Sequence, residues 1–409
     1  MHAYKTRLIE KRLLDLFAYY PVVAVLGARQ AGKSTLVGNL FDNIVNTTVF
    51  DPVVDIGNAR QDPDFFLQNT KMPAFFDEVQ YAPELLGSIK RRVDRQRKNG
   101  LFILSSSQNL TVLKEISESL AGRVAIVNLW PMCRNEFQEL QEHNFLKNWI
   151  SGTWEAAKFP DRESPPTYRA IWEGGYPKIA ELPDHLIPGY WQSYMQTYIE
   201  RDVRKVADIG SLQSFGRFIG LLAALTAQEI NYNQIGRELG VARNTALAWT
   251  EIAESTFQWV SIPAFSRNPL KRISGKKKGF FTDTGFACYL HRIASPDTIA
   301  SHPMQGRLFE TFVVMEMVKK LQSLPMQPNL YHFRSHSGAE VDLVLEQNGV
   351  LYPIEIKSKS NPTRRDIRGF AAFRDCFPGE SIHTGLVICA TPSVQYISDD
   401  ALAVPWWYL

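Results

Sequence analysis

The chain has 409 residues, which is too long for a single compact core and suits two or three domains. Hydrophobic residues make up 45% and charged residues 21%, so the composition is that of a folded globular protein and excludes a disordered one. A net charge of +3 is too small to indicate nucleic-acid binding by itself, so such a function depends on where the cations cluster.

Cysteine usage and the N-terminal sequence bear on the cellular compartment. The four cysteines are far apart and form no C-x-x-C pair, which argues against a disulfide framework or a cysteine zinc site. The charged N-terminus does not resemble a signal peptide, and no apolar run approaches the roughly 18 residues of a membrane span. We therefore expect a cytoplasmic protein that does not insert into a membrane.

The first motif follows a short apolar strand. Residues 21–26 lead directly into G-x-x-x-x-G-K-S at residues 27–34, and an apolar helical stretch begins at Leu36. This context predicts a P-loop, in which glycines and a helix N-terminus bring backbone N–H groups to phosphate oxygens. Lys33 is expected to neutralise phosphates, and the Ser34 hydroxyl to bind Mg²⁺. The predicted ATP contacts here are Gly27, Ala28, Arg29, Gln30, Ala31, Gly32, Lys33, Ser34 and Thr35.

Two further strands are expected to complete the nucleotide site. The apolar residues 74–76 are followed by Asp77 and Glu78. Asp77 is predicted to hold Mg²⁺ through water, and Glu78 to polarise the attacking water. The next apolar strand leads into Ser107 and Gln108, which we expect between the P-loop and the acidic strand, in reach of the γ-phosphate.

The middle of the chain divides into two parts. The sequence of residues 136–213 predicts a helical connecting region, and we assign no chemical function to it. Residues 214–295 predict three helices, with a turn at Gly240, and then two strands, a pattern typical of a winged helix-turn-helix. The segment between the strands is cationic and favours DNA contact, with a solvated loop or a protein-binding winged helix as the alternatives. The predicted nucleic-acid contacts are Arg243, Asn244, Lys271, Arg272, Lys276, Lys277 and Lys278.

The last domain, residues 296–409, has the predicted order α-β-β-β-α-β. Asp342 and Glu355 fall on neighbouring strands, and Lys357 shares a face with Glu355 because side chains alternate along a strand. This D…E-x-K pattern is typical of restriction-endonuclease-like folds. Together with Glu310 on the preceding helix, the two acids are hard ligands suited to Mg²⁺ or Mn²⁺, and Lys357 is expected to stabilise charge during phosphodiester cleavage. Alternating charges on a solvent face, or a fold kept for binding alone, are the alternatives.

Considered together, the motifs resemble those of the bacterial and archaeal AAA-type P-loop ATPases whose C-terminal domain joins a winged helix to a restriction-endonuclease-like fold. The family usually has glycine where this chain has Ser106. The resemblance covers nearly the whole chain, and it rests on GARQAGKST (27–35), FFDEVQ (75–80), LSSSQNL (104–110), LAGR (120–123), YIERDV (198–203), FTDTG (281–285), AEVDL (339–343) and PIEIKS (353–358).

The resemblance implies an α/β fold with a parallel P-loop sheet in residues 1–135, ATP and Mg²⁺ as ligands, and a homo-oligomer. Arg123 lies where such ATPases place a catalytic arginine that reaches the neighbouring subunit's nucleotide, although an arginine at a helix end can also stabilise the helix dipole. We therefore expect an ATP-hydrolysing machine that engages DNA in repair, recombination or defence. The alternative is a nucleotide-dependent assembly switch that binds a protein partner and retains an inactive nuclease-like fold.

Overall fold

The computed structural model describes residues 4–42, 46–107, 119–140, 145–153, 164–198, 203, 212–335 and 337–409, with the backbone alone at residues 269, 271 and 274. These residues form an α/β architecture with three sheets of five, three and seven strands. In the described part of the chain, no helix has the length and apolar character needed to cross a membrane.

The first sheet is entirely parallel and has the order β2-β3-β4-β1-β5. Strands β1 and β4 are buried along their whole length, which explains their apolar composition. Because all the strands run in one direction, the C-terminal ends of β1, β3 and β4 meet at one edge. The elements of this N-terminal unit are α1 (Glu10–Tyr19), β1 (Val22–Leu26), α2 (Lys33–Phe41), β2 (Asn46–Val49), α3 (Pro63–Gln68), β3 (Ala74–Asp77), α4 (Leu85–Gln96), β4 (Phe102–Ser106) and β5 (Val124–Asn128).

The middle unit is mainly helical and carries a small antiparallel sheet of order β6-β8-β7. Asn231 caps one of its helices by accepting hydrogen bonds from two backbone N–H groups, and Gly240 ends that helix in the left-handed conformation. Its elements are α5 (Arg134–Gln138), α6 (Phe145–Ile150), α7 (Thr167–Glu173), α8 (Ile187–Thr197), α9 (Leu212–Ala224), β6 (Gln228–Glu229), α10 (Tyr232–Leu239), α11 (Arg243–Ser255), β7 (Trp259–Ile262), α12 (Pro269–Ser274), β8 (Lys278–Phe281) and α13 (Thr284–Leu290).

The cationic segment of the middle unit differs from the prediction. A short helix, α12, lies within the cationic segment that was expected to join the two strands, and β8 begins at Lys278, which was assigned to that segment. The backbone of Lys278 pairs with both Glu229 and Ile262, so this residue belongs to the central strand of the small sheet.

The C-terminal unit contains the predicted α-β-β-β-α-β order and extends it with further strands. Its sheet has the order β14-β15-β13-β11-β10-β9, and the short strand β12 pairs with β11. Strands β10 and β11 are antiparallel neighbours, which places Asp342 beside Glu355 and Lys357. The elements are α14 (Gln305–Leu321), β9 (Asn329–Arg334), β10 (Glu340–Gln347), β11 (Val350–Lys357), α15 (Arg368–Cys376), β12 (Ser381–Ile382), β13 (Gly385–Cys389), β14 (Gln395–Ser398) and β15 (Ala401–Pro405).

Buried polar contacts join the three units around Asp283. This carboxylate caps α13 by accepting from the Phe286 N–H at 3.0 Å, and it accepts from the Gly175 N–H at 2.8 Å. The Gly175 carbonyl in turn accepts from the Met132 N–H at 2.7 Å. A Cβ on Gly174 would lie 2.2 Å from a carboxylate oxygen of Asp283, so only glycine fits there. Lys319 of α14 donates from its Nζ to the Met132 carbonyl at 3.0 Å, so the C-terminal unit is joined to the same network.

Candidate functional site

The P-loop connects β1 to α2 at the C-terminal edge of the first sheet. Gly27 approaches the backbone of Leu129 so closely that a Cβ would lie 2.2 Å from the Leu129 carbonyl oxygen. Gly32 has φ +99°, a conformation that favours glycine. All the predicted loop residues, 27–35, lie on this turn and on the first turn of α2.

Lys33 is buried and directed back into the loop. Its Nζ donates to the carbonyl oxygens of Gly27 at 2.9 Å and Ala28 at 3.0 Å. The ammonium group is therefore held at the loop, where phosphate oxygens would accept hydrogen bonds from it.

Asp77 accepts hydrogen bonds from hydroxyl groups on both sides. Ser34 Oγ donates to Asp77 Oδ2 at 2.6 Å, and Ser105 Oγ donates to Asp77 Oδ1. Three separate elements, α2, β3 and β4, thus meet at this carboxylate. The Ser34 hydroxyl and the Asp77 carboxylate are hard oxygen donors at the loop, so the residues present fit a Mg²⁺ ion. Ser105 was not predicted as a site residue, because the sequence marks it only as part of an apolar strand.

Glu78 follows β3 in a left-handed backbone conformation, with φ 58° and ψ 45°. Such a conformation is unfavourable for a residue with a Cβ and is found at functional sites more often than elsewhere. The Gln80 side chain donates to Glu78 Oε2, and Ser107 Oγ lies 3.3 Å from the same oxygen. The structure therefore brings Glu78 and Ser107 together beside Asp77, as the sequence predicts. Gln108 lies outside the described residues.

Arg7 braces the P-loop from a part of the sequence that carries no recognisable motif. Its Nη1 donates to the Ala31 carbonyl at 3.0 Å, and its Nη2 donates to the Trp130 carbonyl at 2.7 Å. The guanidinium Nε lies 3.2 Å from Glu136 Oε1, and both side chains are buried. Arg7 thereby ties the loop to the start of the middle unit. A single arginine near the N-terminus gave no sequence signal for this role.

Arg123 lies at the end of the first sheet opposite to the P-loop. It directly precedes β5, whose first residue is level with the first residue of β1. Its guanidinium group forms a two-point ion pair with Asp94, at 2.5 and 3.1 Å. The arginine is therefore far from the P-loop of its own chain.

Of the predicted DNA contacts, four have exposed side chains. Arg243 and Asn244 occupy the first turn of α11, and Lys276 and Lys277 precede β8. Lys276 has a side chain that is 69% exposed and lies 3.8 Å from Glu229. The Lys271 side chain lies outside the described part of the structure.

Two of the predicted DNA contacts have other partners. Arg272 pairs with Glu346 at 3.2 Å, and its guanidinium carbon lies 4.8 Å from the ring centre of Phe265 and 5.0 Å from that of Tyr331. Lys278 is only 8% exposed and points into the C-terminal unit. The interpretation of these two residues as free cations on a wing is wrong, because their partners lie far along the sequence on α14, β9 and β10.

The predicted acidic residues of the C-terminal unit form a buried cluster that we name the carboxylate cluster. Lys357 Nζ lies 2.7 Å from Glu355 Oε2 and 3.3 Å from Asp342 Oδ2. Lys278 Nζ lies 2.5 Å from Glu310 Oε1 and 3.3 Å from Asp342 Oδ1. Each oxygen of Asp342 therefore faces one ammonium group. The structure brings together all four predicted residues and adds Lys278, which the sequence places on a different domain.

Burial and charge act in opposite directions on these groups. Burial raises the pKa of Glu310 to about 8, although Lys278 lowers it. Burial, together with the negative charge of Asp342, also raises the pKa of Glu355 well above its usual range. For Asp342 itself, burial is outweighed by Lys278 and Lys357, so its pKa falls well below the usual value. The cluster stabilises one fully ionised acid between two ammonium groups.

The carboxylate cluster does not fit a metal ion as it stands. Within the described residues, no group of three or more His, Cys, Asp and Glu side chains is arranged to hold one. The oxygens of Glu310, Asp342 and Glu355 are directed at lysine nitrogens. The predicted Mg²⁺ or Mn²⁺ at this cluster therefore has no support in the geometry.

Comparison with protein families divides the chain into three matched segments. Residues 19–138 match an AAA domain. Residues 166–297 match a domain of unknown function, DUF8612, and residues 305–409 match another, DUF4143.

Relatives of known sequence cover most of the chain. The uncharacterized proteins Rv2008c of Mycobacterium tuberculosis and Mb2031c of Mycobacterium bovis are each 27% identical over 348 residues. Each alignment covers 84% of this chain and 71% of the relative.

Among solved structures, the Walker-type ATPase PABY2304 of Pyrococcus abyssi has 18% identity and a TM-score of 0.42, over 71% of this chain and 99% of that one. The RuvB Holliday junction branch migration motor of Thermotoga maritima has 17% identity and a TM-score of 0.30, over 67% and 92%. Both likenesses are too distant to carry an argument about this chain.

The AAA-domain match and the geometry agree on the class of the N-terminal unit. Its five-stranded parallel sheet carries a G-x-x-x-x-G-K-S loop after β1 and an acidic pair after β3. The N-terminal unit therefore has a P-loop NTPase fold, and its sequence matches an AAA domain.

Proposed function

We propose that the chain binds and hydrolyses ATP at the P-loop. The observation that carries this proposal is the network in which Ser34, Asp77 and Ser105 join three elements at one carboxylate beside Lys33. The AAA-domain match over residues 19–138 supports it independently. A site of this composition suits a ligand that combines phosphate groups with a divalent cation.

Binding would use the loop's backbone and its lysine. The N–H groups of residues 27–32 and the N-terminus of α2 would donate to phosphate oxygens. Lys33 would exchange its two carbonyl acceptors for phosphate oxygens, and Ser34 and Asp77 would hold Mg²⁺. An Mg²⁺ ion held by Ser34 and Asp77 would supply positive charge that stabilises phosphoryl transfer.

Hydrolysis would depend on Glu78. In this proposal its carboxylate accepts the proton of the attacking water, and Ser107 orients the same water. Gln80 holds the Glu78 carboxylate in place through its side-chain amide. Arg123 would complete a site on a neighbouring copy of the chain, which makes turnover depend on homo-oligomer assembly.

We further propose that the middle unit is a winged helix that contacts DNA. Helices α10 and α11 join through Gly240; strand β6 of the small sheet precedes them, and strands β7 and β8 follow them. Arg243 and Asn244, exposed on the first turn of α11, would face a groove, and Lys276 and Lys277 would face the phosphates. ATP hydrolysis coupled to DNA contact would make the protein a DNA-remodelling or DNA-processing machine.

A second candidate function follows from the carboxylate cluster. The order α14-β9-β10-β11-α15-β13 supports a restriction-endonuclease-like fold for the C-terminal unit. Its acids, however, are ion-paired with two lysines. This favours a nuclease-like domain that is kept for binding, and with it a nucleotide-dependent assembly switch that recruits a protein partner.

Steady-state ATP hydrolysis tests these proposals. The rate is measured without DNA and with single-stranded, duplex and branched DNA, over a range of protein concentrations. A rate that rises with one DNA form, and per subunit with concentration, is expected for the DNA machine. Hydrolysis that no DNA form stimulates would favour the assembly switch. The ATPase proposal would be contradicted if the chain binds ATP without hydrolysing it. It would also be contradicted if the observed hydrolysis persists in Glu78→Gln.

A further inference from the structure

The cation in the carboxylate cluster comes from a different sheet. Lys278 starts β8, the central strand of the small sheet, yet its ammonium group lies 2.5 Å from Glu310 of α14 and 3.3 Å from Asp342 of β10. It is 8% exposed, which is rare for a lysine unless its charge is compensated. The ion pairs therefore join the middle and C-terminal units.

The position of this ammonium group overlaps the position of a metal ion. A Mg²⁺ or Ca²⁺ ion lies about 2.0–2.6 Å from its carboxylate oxygens. Lys278 Nζ lies 2.5 Å from Glu310 Oε1, close enough to take the place of such an ion, and 3.3 Å from Asp342 Oδ1, which is longer than a metal–oxygen bond. Two cations cannot share this space, because both overlap and charge repulsion oppose it.

The charges of the cluster show what exchange would do. Burial raises the pKa of Glu310 and Glu355, so a metal ion would have to displace protons from these two acids. With all three acids ionised, three carboxylates and two ammonium groups leave one negative charge uncompensated. Replacing the ammonium of Lys278 with a divalent cation would remove that imbalance. A neutral side chain at position 278 would leave two negative charges, which one divalent cation matches.

An open cleft leads to the cluster. Its volume is about 460 Å³, and its walls come from both the small sheet and the C-terminal unit. A hydrated ion could therefore reach Glu310 and Asp342 without unfolding the protein. The lining includes Glu229, Lys278, Arg307, Glu310, Arg334 and Asp342.

We propose that Lys278 is an internal substitute for a divalent cation. Its ammonium group keeps Glu310, Asp342 and Glu355 from forming a metal site, and at the same time it anchors β8 to the C-terminal unit. Removing the ammonium converts the cluster into a site for Mg²⁺ or Mn²⁺. This inference concerns the C-terminal unit alone and holds whether or not the P-loop hydrolyses ATP.

The test measures Mn²⁺ binding to the full chain by the electron paramagnetic resonance signal of free Mn²⁺, without nucleotide. Lys278→Met is expected to bind one more Mn²⁺ ion per chain than the wild type. Its affinity for that ion should be at least tenfold higher than the affinity of the wild-type cluster for Mn²⁺. The double variant Lys278→Met, Glu355→Gln should lose that ion. Lys276→Met, which removes a neighbouring exposed lysine, should match the wild type. Equal binding by the wild type and Lys278→Met would overturn the proposal.

Thermal unfolding of the same variants provides a second measurement. Lys278→Met should melt below the wild type in the absence of metal, because its acids are left unpaired. Mn²⁺ should raise its melting temperature more than that of Lys276→Met, and an equal rise would overturn the proposal.

If Lys278→Met does not fold, the wild type is compared with Glu355→Gln. Equal Mn²⁺ binding is expected, and loss of an ion in Glu355→Gln would show that the wild-type cluster already holds metal.

Discussion

The P-loop site and the carboxylate cluster both combine lysine with strand-borne acids, but they differ in what the charged groups contact. At the P-loop, Lys33 donates to two neutral carbonyl groups, and Asp77 accepts from two hydroxyl groups. In the cluster, Asp342 lies directly between the ammonium groups of Lys278 and Lys357.

This difference decides how readily each site can accept a ligand. A carbonyl or hydroxyl partner can be exchanged for a phosphate oxygen or a metal ion without leaving a buried charge uncompensated. Exchanging a charged partner leaves such a charge, unless the ligand replaces it. The same residue types therefore predict an open binding site in one region and a self-contained ion-pair network in the other.

The largest expected effect is on catalysis at the P-loop site. Glu78→Gln should lower the rate of ATP hydrolysis by about 10²–10⁴-fold, since general-base catalysis contributes that much. ATP affinity should change little, because Glu78 would contact water and not phosphate. Rates come from phosphate release, and affinities from a fluorescent ATP analogue. Normal turnover in this variant would show that another group is the base.

The free energy of unfolding should distinguish the carboxylate cluster from the P-loop site. Asp342→Ala should lower the free energy of unfolding by about 3–5 kcal/mol, because the buried ammonium group of Lys278 and the half-buried one of Lys357 lose a shared partner. Asp77→Ala is the matched control at the other site, and it should cost only about 1–2 kcal/mol, since its partners are hydroxyl groups. Urea unfolding of both variants measures the difference. Equal losses of stability in the two variants would contradict the difference that we infer between the two sites.

Lys33→Ala should weaken ATP binding by about 100-fold, which corresponds to about 3 kcal/mol for lost hydrogen bonds to a charged group. The folded state should be affected little, because the carbonyl groups that Lys33 contacts are neutral. Titration with a fluorescent ATP analogue measures the dissociation constant. Unchanged affinity would remove Lys33 from the phosphate site.

The smallest expected effect concerns DNA. Changing Lys276 and Lys277 together to Ala should reduce the slope of log affinity against log salt by about 0.9 for each phosphate that these lysines neutralise in the wild type. Arg272→Ala is a useful contrast, because this packed side chain should affect stability more than the salt slope. Anisotropy of labelled DNA over a salt series measures the slope. An unchanged slope in the double variant would exclude these lysines from the interface.

The sequence predicted the groups whose partners are near in the chain or follow a fixed motif. The P-loop, the acids after β3 and the D…E-x-K residues are of this kind. The structure places the first two groups beside each other at one site, and it brings the D…E-x-K residues together at another. Lys278 was misassigned because its sequence neighbours, Lys276 and Lys277, are exposed, whereas its partners Glu310 and Asp342 lie much later in the chain. Nothing in the local pattern marks the residue at which β8 begins.

Two residues support the structure through contacts that no sequence motif predicts. Arg7 supports the P-loop through carbonyl groups of Ala31 and Trp130, and a sequence contains no signal for contacts to backbone atoms. Asp283 lies in a segment that the resemblance singled out, but its contact with Gly175 depends on tertiary structure. Burial raises the pKa of Asp283, and the charge of Lys319 and backbone N–H groups oppose that rise.

The continuity of the apolar core has a consequence for cooperativity. Buried side chains from all three sheets, among them Val22, Trp259 and Leu345, belong to one cluster of packed residues. Separating the units would expose apolar surface on each of them, at about 25 cal/mol for every Å². A movement of the P-loop unit would therefore shift the surfaces that pack against its neighbours. Because of the same continuity, we expect the chain to melt as a single unit when it is heated.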